Sequence, residues 1–183
     1  MRLFASITPP IEVTEHLINA LRPYKDDLRW SDPDNWHITL AFYGELPDGA
    51  VEDLIEHLTS AARINEEFTI RIKGAGSFNR KNLWMGVGGD TKDLRRLMAD
   101  CLIDPEERGR QRAHLTVAKP TQRQRSRDWD PVIPDLVHAL SIYEGPEWPV
   151  DEIELVSSEP GKGRSGGPLY TTVATIALSS ALV

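Results

Sequence analysis

The sequence predicts an α+β fold, with antiparallel strands in the core and helices outside. Three observations carry that prediction. Apolar or alternating runs of strand length, such as RLFASI, EFTIRIKGAGSF and LYTTVATIALS, recur from one end of the chain to the other. Segments with helical apolar spacing fall between hairpin-like strand pairs, not in strict strand–helix–strand alternation. A His-x-Thr pattern also occurs in two separate apolar strands, as NWHITLAF and RAHLTVAK.

The elements follow in order. RLFASI is a strand by its apolar content. Pro9 and Pro10 then open a helix whose apolar residues Ile11, Val13, Leu17, Ile18 and Leu21 share one face. LRW and HITLAFYG are strands separated by the turn-forming SDPDN. DGAVEDLIEHLTSAARI has helical spacing through Val51, Leu54, Ile55, Leu58 and Ala62. EFTIRIKGAGSF and NLWMGVG are strands joined by a turn at NRK. TKDLRRLMADCLI is a third helix, AHLTVAK a strand, and PDLVHALSIYE a weak helix. VDEIELVSSE and LYTTVATIALS close the chain as a strand pair around PGKGRSGGP. QRQRSR is the most loop-like segment.

Composition narrows the function classes. The 183 residues are 40% hydrophobic and 27% charged, which suits one globular domain over 1–183 with a sizeable core. The single cysteine, Cys101, permits no intramolecular disulfide and no cysteine metal cluster. No apolar run is long enough to span a bilayer, and the N-terminal residues do not resemble a signal peptide, so a cytoplasmic protein without membrane attachment is expected. The net charge of −7 argues against a global basic field for coating nucleic acid. A local exception runs from Arg108 to Arg127, with seven cations and no acid, and the second motif lies inside it.

On a strand, alternate side chains share a face. His37 and Thr39 therefore point one way and Ile38 and Leu40 the other. His114 and Thr116 pair likewise, with Leu115 and Val117 facing the core. Parity adds Tyr43 to the first polar face, as a base-stacking candidate, and Arg112 to the second. Trp36 has the opposite parity and should pack inward. HLTS, beginning at His57, matches the pattern but falls in a helix, so His57 is assigned to a solvated surface; His16 and His138 are treated as structural or exposed. Two imidazoles across a cleft suit general acid–base catalysis near neutrality, and two hydroxyls suit the non-bridging oxygens of a phosphate. A metal site is the weaker reading, since no carboxylate lies at ligand spacing. GKGRSGG lacks the ending of a phosphate loop and is read as a hairpin loop.

The two motifs and their surroundings resemble the 2H phosphoesterase family, in particular its RNA 2′,3′-cyclic phosphodiesterase branch, also called 2′-5′ RNA ligase-like. MRLFASI, RWSDPDNWHITLAFYGEL, GAGSFNRKNLWMGV, RAHLTVAK and IELVSSEPGKGRSGGPLYTTVATIAL carry the likeness over nearly the whole chain. The resemblance implies a bilobal, pseudo-twofold domain whose two antiparallel sheets form a central cleft flanked by helices. It implies hydrolysis of RNA 2′,3′-cyclic phosphate ends, or of small cyclic nucleotides, to 2′-phosphomonoesters, with neither metal nor other cofactor. His37 would be the general acid and His114 the general base. Thr39 and Thr116 would hold the phosphate, assisted by Arg112 and Lys119. The expected partner is an RNA end or a cyclic nucleotide, bound by a monomer. RNA 2′-5′ end-joining and a non-catalytic RNA-end or nucleotide-binding module are the alternatives. Two positions depart from the branch: Ala113 stands where proline is frequent, and Lys119 where arginine is usual. Lysine lacks the bidentate fork, which bears on substrate preference.

Overall fold

The structure, a computed structural model, describes residues 1–180. The remaining three residues of the domain expected over 1–183 lie outside the described residues. Strand β1 (Arg2–Ile7) is followed by helix α1 (Ile11–Leu21), the short strand β2 (Arg29–Trp30) and strand β3 (Ile38–Glu45). Helix α2 (Val51–Arg63) leads to strands β4 (Phe68–Gly76) and β5 (Leu83–Gly89), helix α3 (Thr91–Cys101) and strand β6 (Leu115–Lys119). Helices α4 (Gln122–Arg125) and α5 (Val132–Ala139) precede strand β7 (Trp148–Val150) and the closing hairpin of β8 (Glu152–Glu159) and β9 (Leu169–Ala177).

The strands lie in the order β7-β4-β5-β6-β3-β1-β8-β9, with β2 added on β6. All pairs are antiparallel. The two expected antiparallel halves are present, and they are joined into one continuous sheet. The join is a single residue pair, Ile38 with Leu115. Both are fully buried, and each contributes about 1.5–3 kcal/mol of apolar burial. Beyond this pair β6 exchanges partners: Ala118 and Lys119 face Trp30 and Arg29 of β2 instead of β3. The cleft opens where β3 and β6 part.

The halves share a plan. In one, β1, α1 and β3 succeed one another; in the other, β5, α3 and β6 do. Apart from an excursion of the short β2, which pairs with β6, the chain crosses between halves twice, after α2 into β4 and after β7 into β8. The helices bury their apolar faces as the spacing predicts. Val13, Leu17 and Leu21 of α1, Leu54 and Leu58 of α2, and Leu94, Leu97, Met98 and Cys101 of α3 all join one core. No helix among the described residues is long and apolar enough to cross a membrane.

Two elements differ from the sequence expectation. Part of QRQRSR is helix α4, started by a capping box. The Thr121 hydroxyl accepts the Gln124 N–H, while the Gln124 side chain accepts the Thr121 N–H. The edge strand β7 also went unforeseen, because Pro149 weakens a strand signal; an edge tolerates proline.

Each strand at the join carries a β-bulge at the same place. Between β1 and β3, Ser6 faces Thr39 while Ala5 faces Ala41, leaving Leu40 as the extra residue. Between β5 and β6, Trp84 faces Thr116 while Leu83 faces Ala118, leaving Val117 extra. The bulge carbonyls are satisfied crosswise. The Gln111 side-chain amide, in the lead-in to His114, donates to the Leu40 carbonyl at 2.8 Å. Ser31, in the lead-in to His37, donates to the Val117 carbonyl from its N–H and its hydroxyl, both at 2.9 Å. Each motif's approach thus braces the other motif's bulge.

Candidate active site

The two motifs meet. In an antiparallel pair the register extends on both sides of a matched residue. From Ile38 opposite Leu115 it places His37 across from Thr116, and Thr39 across from His114. Ile38 and Leu115 point into the core, so these four polar side chains stand on the opposite face. All four line one cleft of about 840 Å3, together with Trp30, Asn82, Lys119 and Tyr170.

Both imidazoles are tethered alike. His37 Nδ1 is 2.7 Å from the Asn35 carbonyl, and His114 Nδ1 is 2.7 Å from the Arg112 carbonyl. A carbonyl oxygen only accepts, so Nδ1 carries the proton in each ring and Nε2 is left for proton exchange. Burial is the main influence on both rings, and it lowers each pKa below the ordinary histidine value. The lesser charged influences differ. His114 pushes His37 further down and Glu154 on β8, a smaller influence, pulls it back up, whereas the Arg112 cation pushes His114 further down. Glu154 is held by the Thr8 hydroxyl, which donates to its Oε2 at 2.7 Å.

Aromatic rings flank both histidines. The His37 ring packs 4.8 Å from Phe4 and 5.4 Å, edge-on, from Tyr170. The His114 ring lies 4.9 Å, edge-on, from Phe78 and 5.8 Å from Trp84. Glu154, Tyr170 and Phe78 escaped the sequence analysis because each reaches its histidine from a separate stretch of chain. The hairpin loop at GKGRSGG also has a place here. Arg164, Ser165, Gly166 and Gly167 line the cleft rim, and Arg164 pairs with Asp32 at 3.2 Å.

Three expected positions change. The bulge at Leu40 reverses the parity of β3, so Phe42 turns outward and Tyr43 packs toward α3. The Tyr43 hydroxyl donates to the Cys101 carbonyl at 2.8 Å, and burial pushes its phenol pKa up. It is not in the cleft lining, so its ring is not placed to stack on a base there. Arg112 stands 5.1 Å from the Trp84 ring centroid, outside the cleft lining, because it lies ahead of β6 where strand alternation does not apply. His57 is half-buried instead of solvated; its Nε2 donates to the same Cys101 carbonyl at 3.3 Å. Trp36 packs inward, donating from Nε1 to Ser31 Oγ at 3.0 Å, and His16 bonds Tyr143 at 2.8 Å. Among the described residues no group of three or more His, Cys, Asp or Glu side chains is arranged to hold a metal ion.

A family model described as LigT like Phosphoesterase matches residues 7–84, which include the first motif. Over that segment the chain is similar to the LigT-like phosphoesterases. Two relatives resemble it along most of their length. An RNA 2′,3′-cyclic phosphodiesterase of Thermus thermophilus is 27% identical over 198 residues, covering 97% of this chain and 90% of its own. One from Aquifex aeolicus is 28% identical over 156 residues, covering 79% of each chain. Among solved structures, Escherichia coli LigT complexed with phosphate superposes with a TM-score of 0.71 at 24% identity, over 97% of both chains, a likeness of fold. A Thermus thermophilus crystal structure gives 0.68 at 25% identity, over 97% of this chain and 98% of that one.

Proposed function

We propose that the protein is a 2H phosphoesterase that hydrolyses 2′,3′-cyclic phosphate ends of RNA to 2′-phosphomonoesters. The names of its relatives agree with that substrate. The observation that carries the reading is the pair of tethered histidines, set diagonally with two threonines on one cleft face. The His114 Nε2 takes a proton from water as its oxygen bonds to phosphorus. The P–O3′ bond breaks, and His37 Nε2–H delivers its proton to the departing 3′ oxygen. Thr39 and Thr116 donate to the non-bridging oxygens, and Lys119 adds positive charge at the rim. Glu154 near His37 favours the protonated acid, and Arg112 near His114 favours the neutral base. Each histidine's charged neighbour therefore matches its role.

The test is an assay in the presence of chelator, with an oligonucleotide ending in a 2′,3′-cyclic phosphate. Wild type is compared with His37→Ala and His114→Ala, and the product phosphate is located. Turnover to a 2′-phosphate, reduced about 10²–10⁴-fold in each variant, is expected. A 3′-phosphate product, or either variant turning over at the wild-type rate, would refute the assignment. Tight binding without turnover in wild type would point to a binding module instead.

A further inference from the structure

A second cavity of about 460 Å3 adjoins the histidine cleft. It lies between the β4–β5 turn and the segment from β6 to α5, and its lining includes Arg80, Lys81, Arg125 and Arg127. Lys81 and Pro120 line this cavity, while their chain neighbours Asn82 and Lys119 line the cleft. The two spaces therefore meet along two chain segments.

The charge here is unlike that of the whole molecule. The chain carries a net −7, yet four cations face Asp128 and Asp130 in this cavity. Arg127 is engaged by Asp130 at 3.0 Å. Among the described residues Lys81 and Arg125 have no carboxylate partner within ion-pair distance. Beside them stands Trp129, 61% exposed, whereas Trp36, Trp84 and Trp148 are buried. The Arg80 guanidinium lies 4.5 Å from the Trp129 ring centroid.

The backbone beneath Arg80 is unusual. The turn closes with the Lys81 N–H on the Phe78 carbonyl at 3.0 Å. Its central residues, Asn79 and Arg80, have φ of 50° and 57°. Such a type I′ turn favours glycine at its second central position. Here that position holds arginine, despite the steric cost, and the turn delivers its guanidinium to an exposed indole.

We infer that this cavity is a subsite for single-stranded RNA on the 5′ side of the cyclic phosphate. The inference rests on the reading that the cyclic end occupies the histidine cleft. Phosphates leaving the cleft pass Lys119 and reach Lys81 and Arg125, and a base stacks on the Arg80–Trp129 pair. Cations beside an exposed aromatic plane are the chemistry of single-strand binding. An acidic peptide would use the cations but not the plane. The enzyme would then prefer an oligonucleotide end to a cyclic mononucleotide.

The test separates binding from turnover. Anisotropy of a 5′-labelled oligoribonucleotide ending in a 2′-phosphate reads binding without chemistry. Trp129→Ala, a change at an exposed site, should weaken it about tenfold. Lys81→Ala with Arg125→Ala should lower the slope of log affinity against log salt by about 0.7 per cation removed. In turnover, these variants should lose kcat/KM on an oligonucleotide with a cyclic end and keep it on cyclic cytidine 2′,3′-monophosphate. Unchanged binding in Trp129→Ala, equal losses on both substrates, or equal competition by an acidic peptide would each overturn the subsite. If wild type turns over neither substrate, the hydrolase reading fails, while the anisotropy comparison still decides the subsite.

Discussion

The two halves of the molecule are built alike and furnished differently. Each presents its histidine just ahead of a strand at the join, tethers Nδ1 to a carbonyl two residues back, and carries a bulge immediately after the threonine. The neighbouring positions differ. In the His37 half, Thr39, Ser6 and Glu154 lie side by side across three strands. In the His114 half the corresponding row is Thr116, Trp84 and Gly76. Past the bulges, Phe42 stands in one half where Lys119 stands in the other. The first half holds a carboxylate beside its histidine, and the second an arginine. A symmetric frame places two equal imidazoles. The charged side chains beside them push in opposite directions, as the proposed acid and base roles require.

The largest effect that would break this comparison concerns the leaving group. With a substrate whose leaving group departs as an anion without protonation, His37→Ala should recover most of a loss of about 10²–10⁴-fold, and His114→Ala should recover none. Recovery in the His114 variant alone would reverse the roles.

A smaller effect sharpens the contrast between the two rows. A Cβ at Gly76 would overlap the Trp84 ring, so Gly76→Ala should lower stability by about 1–3 kcal/mol in denaturant melts. In the other row the hydroxyl of Ser6, which stands in the place of Trp84, is buried and finds no partner among the described residues. Ser6→Ala should therefore leave stability unchanged or raise it. Equal losses in both would show that the rows are not distinct.

The smallest effect lies in the pH profile. Both histidine pKa values are lowered from 6.5, chiefly by burial, so the bell of kcat/KM should centre below pH 6.5. Glu154→Gln removes a charge that raises His37, and the alkaline limb should move down. Arg112→Gln removes a charge that lowers His114, and the acid limb should move up. The two variants should narrow the bell from opposite sides; a shift of the same limb in both would contradict the assignment.

The sequence made the fold and the four polar residues legible because strand alternation holds across His-x-Thr in both motifs. It misled beyond them, at Tyr43, because the bulge at Leu40 reverses the side chains that follow it until a second register shift at Tyr43 itself, and nothing in LAFYG marks either residue as extra. It misled at Arg112 because parity was extended three residues ahead of the start of β6. Glu154 and Tyr170 are set by the register of β8 and by its turn to β9, which no local pattern encodes. His57 was placed in its helix correctly, but its contact with the end of α3 depends on how two helices pack.

The two crossings of the chain impose an order on its synthesis. The strands β4, β5, β6 and β7 that make the His114 half have all left the ribosome once Val150 has. The His37 half is still open at that moment, because Phe4 awaits Val156 and β8 in turn awaits β9. A nascent chain that emerges from its N-terminus completes its second motif's platform first. The histidine made first is thus the last to gain its finished surroundings, and His37 meets the Glu154 carboxylate only near the end of translation.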